Sequence, residues 1–413
     1  MRFLLCCENY PPSVGGVQEV MRQIAERLAA KGHQVTVATS AHAQRPADEV
    51  RNGVRVVSFA IAGNWSRGMS GPVDAYRRFV LEGAFDAICI KAAQQWTFDA
   101  LVDLLPTIRA RKVFIPCGFS GLYQRVYKSY FAQMPQWLAQ CDALIFYASD
   151  YRDIRLAQAH GLGDIHVLPN GADEREFADT KATDLPARLG IAPDNYLLLT
   201  VGSITGIKGH WEVARAFELA SFDRPATLLL NGNVPRRSRL GRTWQRLREL
   251  AMGRPTLTAL VLRINSRQDG AKRVILTDLS RADVVQAFKA SDLFVFASHV
   301  EYSPLVLFEA AAAGTPFLST PAGNAVEIVR WTGGGVVCPA PVSRSGYLKP
   351  KPQDLATAME ALMSDPQRRA SLGDKGRKAF LEGGFSWAHI ADAYERILLG
   401  SAPTNPPSEA AHD

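Results

Sequence analysis

Short apolar runs alternate with stretches of helical period along almost the whole chain, and the series runs twice. Phe3–Cys7, Gln34–Thr39, Val54–Ala60, Ala87–Ile90, Lys112–Ile115 and Leu144–Tyr147 read as strands. Between the first two, Val17–Lys31 places Val17, Val20, Ile24 and Leu28 on one helical stripe. A second series starts after residues 185–194, which hold Pro186, Gly190 and Pro193. It runs through Tyr196–Val201, Thr227–Leu230, Val274–Leu276, Leu293–Ala297, Pro316–Leu318 and Gly335–Cys338. Such alternation predicts an α/β protein with parallel sheets covered by helices on both faces. Run twice in 413 residues, it predicts two Rossmann-like, doubly wound domains of roughly 200 residues each. We place them at residues 1–180 and 190–385. In such pairs the site is expected in the cleft where the carboxyl ends of both sheets converge.

Composition limits the function classes. The chain is 47% apolar and 21% charged, as in a soluble globular protein. Its six cysteines, Cys6, Cys7, Cys89, Cys117, Cys141 and Cys338, form no Cys-x-x-Cys pair, which argues against a zinc site or a disulfide framework. The apolar start Met1–Cys7 ends at Glu8-Asn9, too soon for a signal peptide, and no run approaches the ~20 apolar residues of a spanning helix. A cytoplasmic protein is expected. The formal charge of +7 is densest in Pro235–Arg254, where seven arginines suit a solvated helix face or an anionic membrane or glycan surface. No nucleic-acid module accompanies that charge. Tyr123–Phe131, with Arg125 and Lys128, suits a buried helix with a wet edge, an acceptor site or a membrane face. Residues 401–413, with three prolines, read as a disordered tail.

Three motifs carry chemistry. The first strand runs into Pro11-Pro12-Ser13-Val14-Gly15-Gly16 at the start of a helix. Adjacent glycines and unpaired helical N–H groups suit a diphosphate, and equally a plain strand-to-helix turn. The Gly-x-Gly-x-x-Gly of nicotinamide enzymes is missing, which disfavours a dehydrogenase. Next, Gly202-Ser203 leaves a strand and Lys208-Gly209-His210 opens a helix, so an ammonium can reach an anion there. The third motif is Glu301-Tyr302-Ser303-Pro304-Leu305-Val306-Leu307-Phe308-Glu309. Ser303 is expected as N-cap and Pro304 as first helical residue, with Gly314 ending the helix. Leu305 and Val306 then offer first-turn N–H groups, and Glu301 and Glu309 can accept from sugar and ribose hydroxyls. An unpartnered glutamate among Phe308 and Ala310–Ala313 would be costly.

The order PPSVGG, PNGAD at Pro169–Asp173, GSITGIKGH and EYSPLVLFEAAAAGTPFLSTPAG resembles the glycosyltransferase family 4 enzymes of GT-B fold. Lys31–Val37 and the Phe385-Ser386-Trp387 segment extend the resemblance over essentially the whole chain. It implies a retaining hexosyl transfer from a nucleotide-diphosphate sugar, with no metal or other cofactor, to a glycan, glycolipid or lipopolysaccharide-type acceptor. A soluble small-glycoside or sugar-phosphate synthase and an inactive nucleotide-sugar binder are the alternatives. By resemblance, Gly15, Gly16, Gly202 and Ser203 line the diphosphate, Lys208 neutralises it, Glu301 holds the transferred sugar and Glu309 the ribose. Ser303, Leu305 and Val306 complete the donor side, and helix 386–400 crosses back to the first domain. Three departures stand out: Ser203 replaces a common Arg, Pro304 a common Gly, and Pro116-Cys117-Gly118 a common His. Cys117 and His299 are therefore the acceptor-side candidates.

Overall fold

Residues 1–179, 184–233, 255–267, 270–343 and 346–401 are described by the computed structural model of the chain. The arginine-rich stretch 235–254 and the tail beyond residue 401 lie outside them. The chain divides into two units, Met1–Asn170 with Ser386–Pro406, and Gly171–Phe385.

In the first unit the strands are β1 (Arg2–Cys6), β2 (Gln34–Ser40), β3 (Asp48–Arg51), β4 (Val54–Phe59), β5 (Ala62–Asn64), β6 (Gly68–Ser70), β7 (Ala87–Lys91), β8 (Arg111–Ile115), β9 (Ala143–Phe146) and β10 (Ile165–Val167). Eight of them form one sheet in the order β10-β9-β8-β7-β1-β2-β4-β3, while β5 and β6 pair as a separate hairpin. All pairs in the large sheet are parallel except β3 with β4. Parallel strands covered on both faces should be continuously apolar, and β1 and β7 are buried along nearly their full length. β3 reads Asp-Glu-Val-Arg and is largely exposed, as a charged edge strand should be. It escapes sequence reading because it buries almost nothing.

The chain runs outward from β1 to β2 and β4, then crosses to β7 on the other side. That reversal leaves a crevice at the carboxyl ends of β1 and β7, between loops that depart in opposite directions. Helix α1 (Gly16–Ala30) follows β1, and α2 (Lys128–Leu138) and α3 (Arg152–Ala159) flank β9. The core is aromatic: Phe98 stacks on Phe114 with centroids 4.0 Å apart, and Tyr76 meets Trp96 edge-on at 4.9 Å. The expected strand boundaries hold to within about a residue.

The second unit carries β11 (Tyr196–Val201), β12 (Ala226–Asn231), β13 (Lys272–Thr277), β14 (Leu293–Phe296), β15 (Phe317–Ser319) and β16 (Gly335–Val337). Their order is β13-β12-β11-β14-β15-β16, all parallel, so the reversal falls between β11 and β14. Helices α4 (His210–Leu219), α5 (Arg281–Ala290) and α6 (Leu305–Ala313) follow β11, β13 and β14. Gly314 ends α6 at φ 73°, a left-handed cap that glycine adopts without strain.

The helix Trp387–Leu399 returns to the first unit, as the resemblance implied. Ser386 caps it by accepting from the His389 N–H at 3.2 Å. Its Glu395 bonds His33 at 2.7 Å and pairs with Lys31, Arg111 Nε donates to the Ile397 carbonyl at 2.8 Å, and the Tyr394 and Tyr147 hydroxyls lie 3.3 Å apart. Among the described residues, no helix is long and apolar enough to cross a membrane.

Candidate active site

In the second unit the β11 and β14 exits are fitted to each other by glycines. A Cβ on Gly232 would lie 1.8 Å from the Gly202 carbonyl oxygen, so β12 and β11 can part this closely only without a side chain there. Gly209 has φ 77°, and a Cβ on it would lie 2.0 Å from the Ala297 oxygen. The turn 207–209 is therefore seated directly on the β14 exit. The Ile207 carbonyl accepts from the His299 N–H at 2.8 Å and the Ser298 hydroxyl at 3.1 Å. This seating points Lys208 across the reversal, where its Nζ lies 2.5 Å from Glu301 Oε1. Two residues 93 positions apart, both singled out from sequence, thus meet in a partly buried ion pair.

Helix α4 begins at His210 and α6 at Leu305, so both present their positive ends at the carboxyl edge of the sheet. The N–H groups of Leu305 and Val306 belong to the first turn of α6, which offers them no intrahelical acceptor. The cap differs from expectation. Pro304 itself holds the extended N-cap position, at φ −72° and ψ 114°, and Ser303 stands outside the helix. A residue before proline is biased away from helical geometry, which keeps Ser303 out of the helix. Gly202 leaves β11 beside Lys208 and His210, with its N–H bonded to Asn231 O at 3.0 Å, and Ser203 follows it.

Glu309 lies in the second turn of α6, its side chain 10% exposed. It has a partner that sequence reading missed: Arg281, the first residue of α5, places Nη2 2.7 Å from Glu309 Oε1. The same guanidinium binds Glu176 through Nε at 3.1 and 3.2 Å. Burial alone would lower the Arg281 pKa, but Glu309 and Glu176 outweigh it and raise it above its ordinary value. No local pattern announces this triad, because its members come from three separate segments.

His299 belongs to this unit, with Nε2 3.2 Å from Glu212 Oε1 of α4. His299 lies in the second unit and Cys117 in the first, and His299 braces the loop that carries Glu301. His210 is buried, and burial pulls its pKa down to about 4. An unfolded histidine protonates near pH 6.5. The unfolded chain therefore binds more protons between about pH 6.5 and 4, and stability falls as pH drops through that window. The difference reaches about 3 kcal/mol at the acid end. Relative to wild type, His210→Gln should show a shallower loss of urea midpoint over this range. Parallel profiles would contradict the assignment.

In the first unit, Gly15 holds the N-cap position of α1 at φ 165°, plain extended backbone, and Gly16 is the first helical residue. The preceding loop is held by buried Arg45, which donates to the carbonyls of Tyr10 at 3.1 Å and Pro11 at 2.6 Å. Cys117 follows β8 at φ 61°, between Pro116 and Gly118. Burial pushes its thiol up to about 11, which favours the thiol over the thiolate at neutral pH. Asp153 fixes this turn by accepting from the Gly118 N–H at 2.7 Å. Lys91, 1% exposed at the end of β7, donates to Tyr147 Oη at 2.8 Å, and burial lowers its pKa. Asp99 is pushed up to about 6 by burial, against its bond from Tyr130 at 2.6 Å.

Comparison with known proteins agrees with this geometry. Residues 14–176 match the family described as Glycosyltransferase Family 4, and residues 181–379 match Glycosyl transferases group 1. A glycogen synthase of Mycobacterium tuberculosis is 27% identical over 440 residues, covering 97% of this chain and 95% of that one. A D-inositol 3-phosphate glycosyltransferase of Xylanimonas cellulosilytica is 26% identical over 95% of this chain and 93% of its own. In fold, the chain superposes on Anabaena HepE in complex with UDP with a TM-score of 0.69 at 17% identity, over 97% of this chain and 100% of that one. These family and relative matches show a glycosyltransferase that uses a nucleotide sugar. The chain belongs to the GT4-type family of GT-B glycosyltransferases.

Proposed function

We propose that the chain transfers a hexose from a nucleotide-diphosphate sugar, with retention and without a metal, to a glycan, glycolipid or lipopolysaccharide-type acceptor. The Lys208–Glu301 contact at the β11/β14 reversal carries this reading. It puts a cation for the leaving diphosphate beside a carboxylate for the sugar hydroxyls. In the reaction the bond from the anomeric carbon to the phosphate oxygen breaks. A bond to the acceptor oxygen forms on the same face, and the acceptor proton passes to the departing phosphate oxygen. Charge grows on that oxygen, so Lys208 and the amino ends of α4 and α6 act most strongly in the transition state. Glu309 accepts from the ribose.

A sugar-phosphate synthase is the second reading, favoured by the inositol-phosphate relative. The intact Lys208–Glu301 pair disfavours an inactive member. A cytoplasmic location with peripheral contact at an anionic membrane is supported by exposed Tyr123 (73%) and Val126 (47%) beside Arg125 and Lys128. Purified protein should hydrolyse, or be thermally stabilised by, at least one of the UDP-, GDP- and ADP-sugars. It should also co-sediment with vesicles containing anionic lipid better than with neutral ones. Silence across all three nucleotides would sink the transferase reading, and equal sedimentation would sink the membrane contact.

A further inference from the structure

The Arg281 triad has a geometry that a simple helix tie does not need. Helix α6 reads Leu-Val-Leu-Phe-Glu-Ala-Ala-Ala-Ala, and its Leu307, Phe308 and Ala310 are fully buried. A carboxylate in such surroundings is driven towards its neutral form unless a cation faces it. Arg281 supplies that cation: Glu176 takes its Nε–Nη2 edge, and the same Nη2 lies 2.7 Å from Glu309 Oε1. Glu176 is itself fixed in place, since its neighbour Phe177 is fully buried and packs on Phe288. Two carboxylates face one guanidinium, and a carboxylate accepts from hydroxyl groups.

We propose that Arg281, oriented by Glu176, is the positioning residue that makes Glu309 a selector of nucleotides bearing an intact ribose cis-diol. This rests on the reading of Glu309 as the ribose acceptor. Arg281 faces the carboxylate with a planar fork that fixes its orientation, which a lysine cannot reproduce. Ribose selectivity should then depend on a side chain that need not touch the sugar.

The test compares the affinities of UDP, GDP and ADP with those of their 2′,3′-dideoxy counterparts, by calorimetry, in wild type, Arg281→Met, Arg281→Lys and Glu176→Gln. Wild type should prefer at least one ribose form by about 10–100-fold, the range for hydrogen bonds to a charged group. Arg281→Met should bring that ratio to within about threefold of unity while dideoxynucleotide affinity stays within about threefold. Arg281→Lys and Glu176→Gln should fall between, and they decide the matter if the Met variant does not fold. An Arg281 that merely tied helices together would weaken both ligand forms alike, and that result, or an unchanged ratio, overturns the proposal. A wild type that binds both forms equally removes the ribose reading of Glu309 itself, a failure distinct from that of Arg281. Binding of none of the six removes the donor reading altogether.

Discussion

Replacing Glu301 by Gln is expected to tighten the binding of the free nucleoside diphosphate while abolishing most turnover. The Lys208 ammonium, which we propose meets the diphosphate, lies 2.5 Å from the Glu301 carboxylate, and both side chains are partly buried. An incoming diphosphate must share Lys208 with that carboxylate and tolerate its charge. Neutralising Glu301 keeps the shape, frees the ammonium and removes the repulsion. With an effective dielectric near 20, one unit charge a few ångströms away matters by a few kcal/mol, and discounting for solvent leaves about tenfold tighter binding. Turnover should fall on the order of 10²-fold, because the hydroxyl contact of the transferred sugar is lost in the transition state. Calorimetry and steady-state rates on one preparation separate the two effects. Weaker diphosphate binding in Glu301→Gln would show that the pair is a structural tie, not a poised site.

The converse substitution removes the cation. Lys208→Ala should lower kcat on the order of 10²–10³-fold, since the ammonium acts on charge that develops as the phosphate oxygen departs. It also removes the cation that faces Glu301 at the proposed diphosphate site. The single variant should therefore bind nucleotide less well than the double variant Lys208→Ala/Glu301→Gln, a non-additivity expected of residues in contact. Turnover retained in Lys208→Ala, or strict additivity, would remove Lys208 from the phosphate site.

Legibility in the sequence followed the physics of each element. Strands such as β1, β7 and β11 are buried on both faces and announce themselves as apolar runs. The β5–β6 hairpin and β10 have three residues per strand, and β3 has four that are mostly exposed, so none leaves a periodic trace. Lys208 and Glu301 were legible because each sits at a strand-to-helix junction, with glycine or proline marking the turn. Arg281, Glu176 and the Glu212–His299 contact were not, because each pairing joins segments whose proximity only the folded sheet creates. The oddity of Glu309 in an apolar helix was visible; its resolution by an arginine was not. Arg45 was hidden for the same reason, since its acceptors are backbone carbonyls, which the side-chain code does not advertise.

Because the helix Trp387–Leu399 packs with residues that precede the second unit, such as Arg111 and Tyr147, the second unit is one long insertion between segments of the first. At ribosomal speeds of about 5–20 residues per second, roughly 10–45 s separate Asn170 from the end of that helix. Over that interval Lys31, His33 and Arg111 wait for the partners that the last helix brings them. Of the two units, the one whose synthesis starts earlier is thus the one completed later, and a chaperone meeting the nascent chain would find its vacancy there.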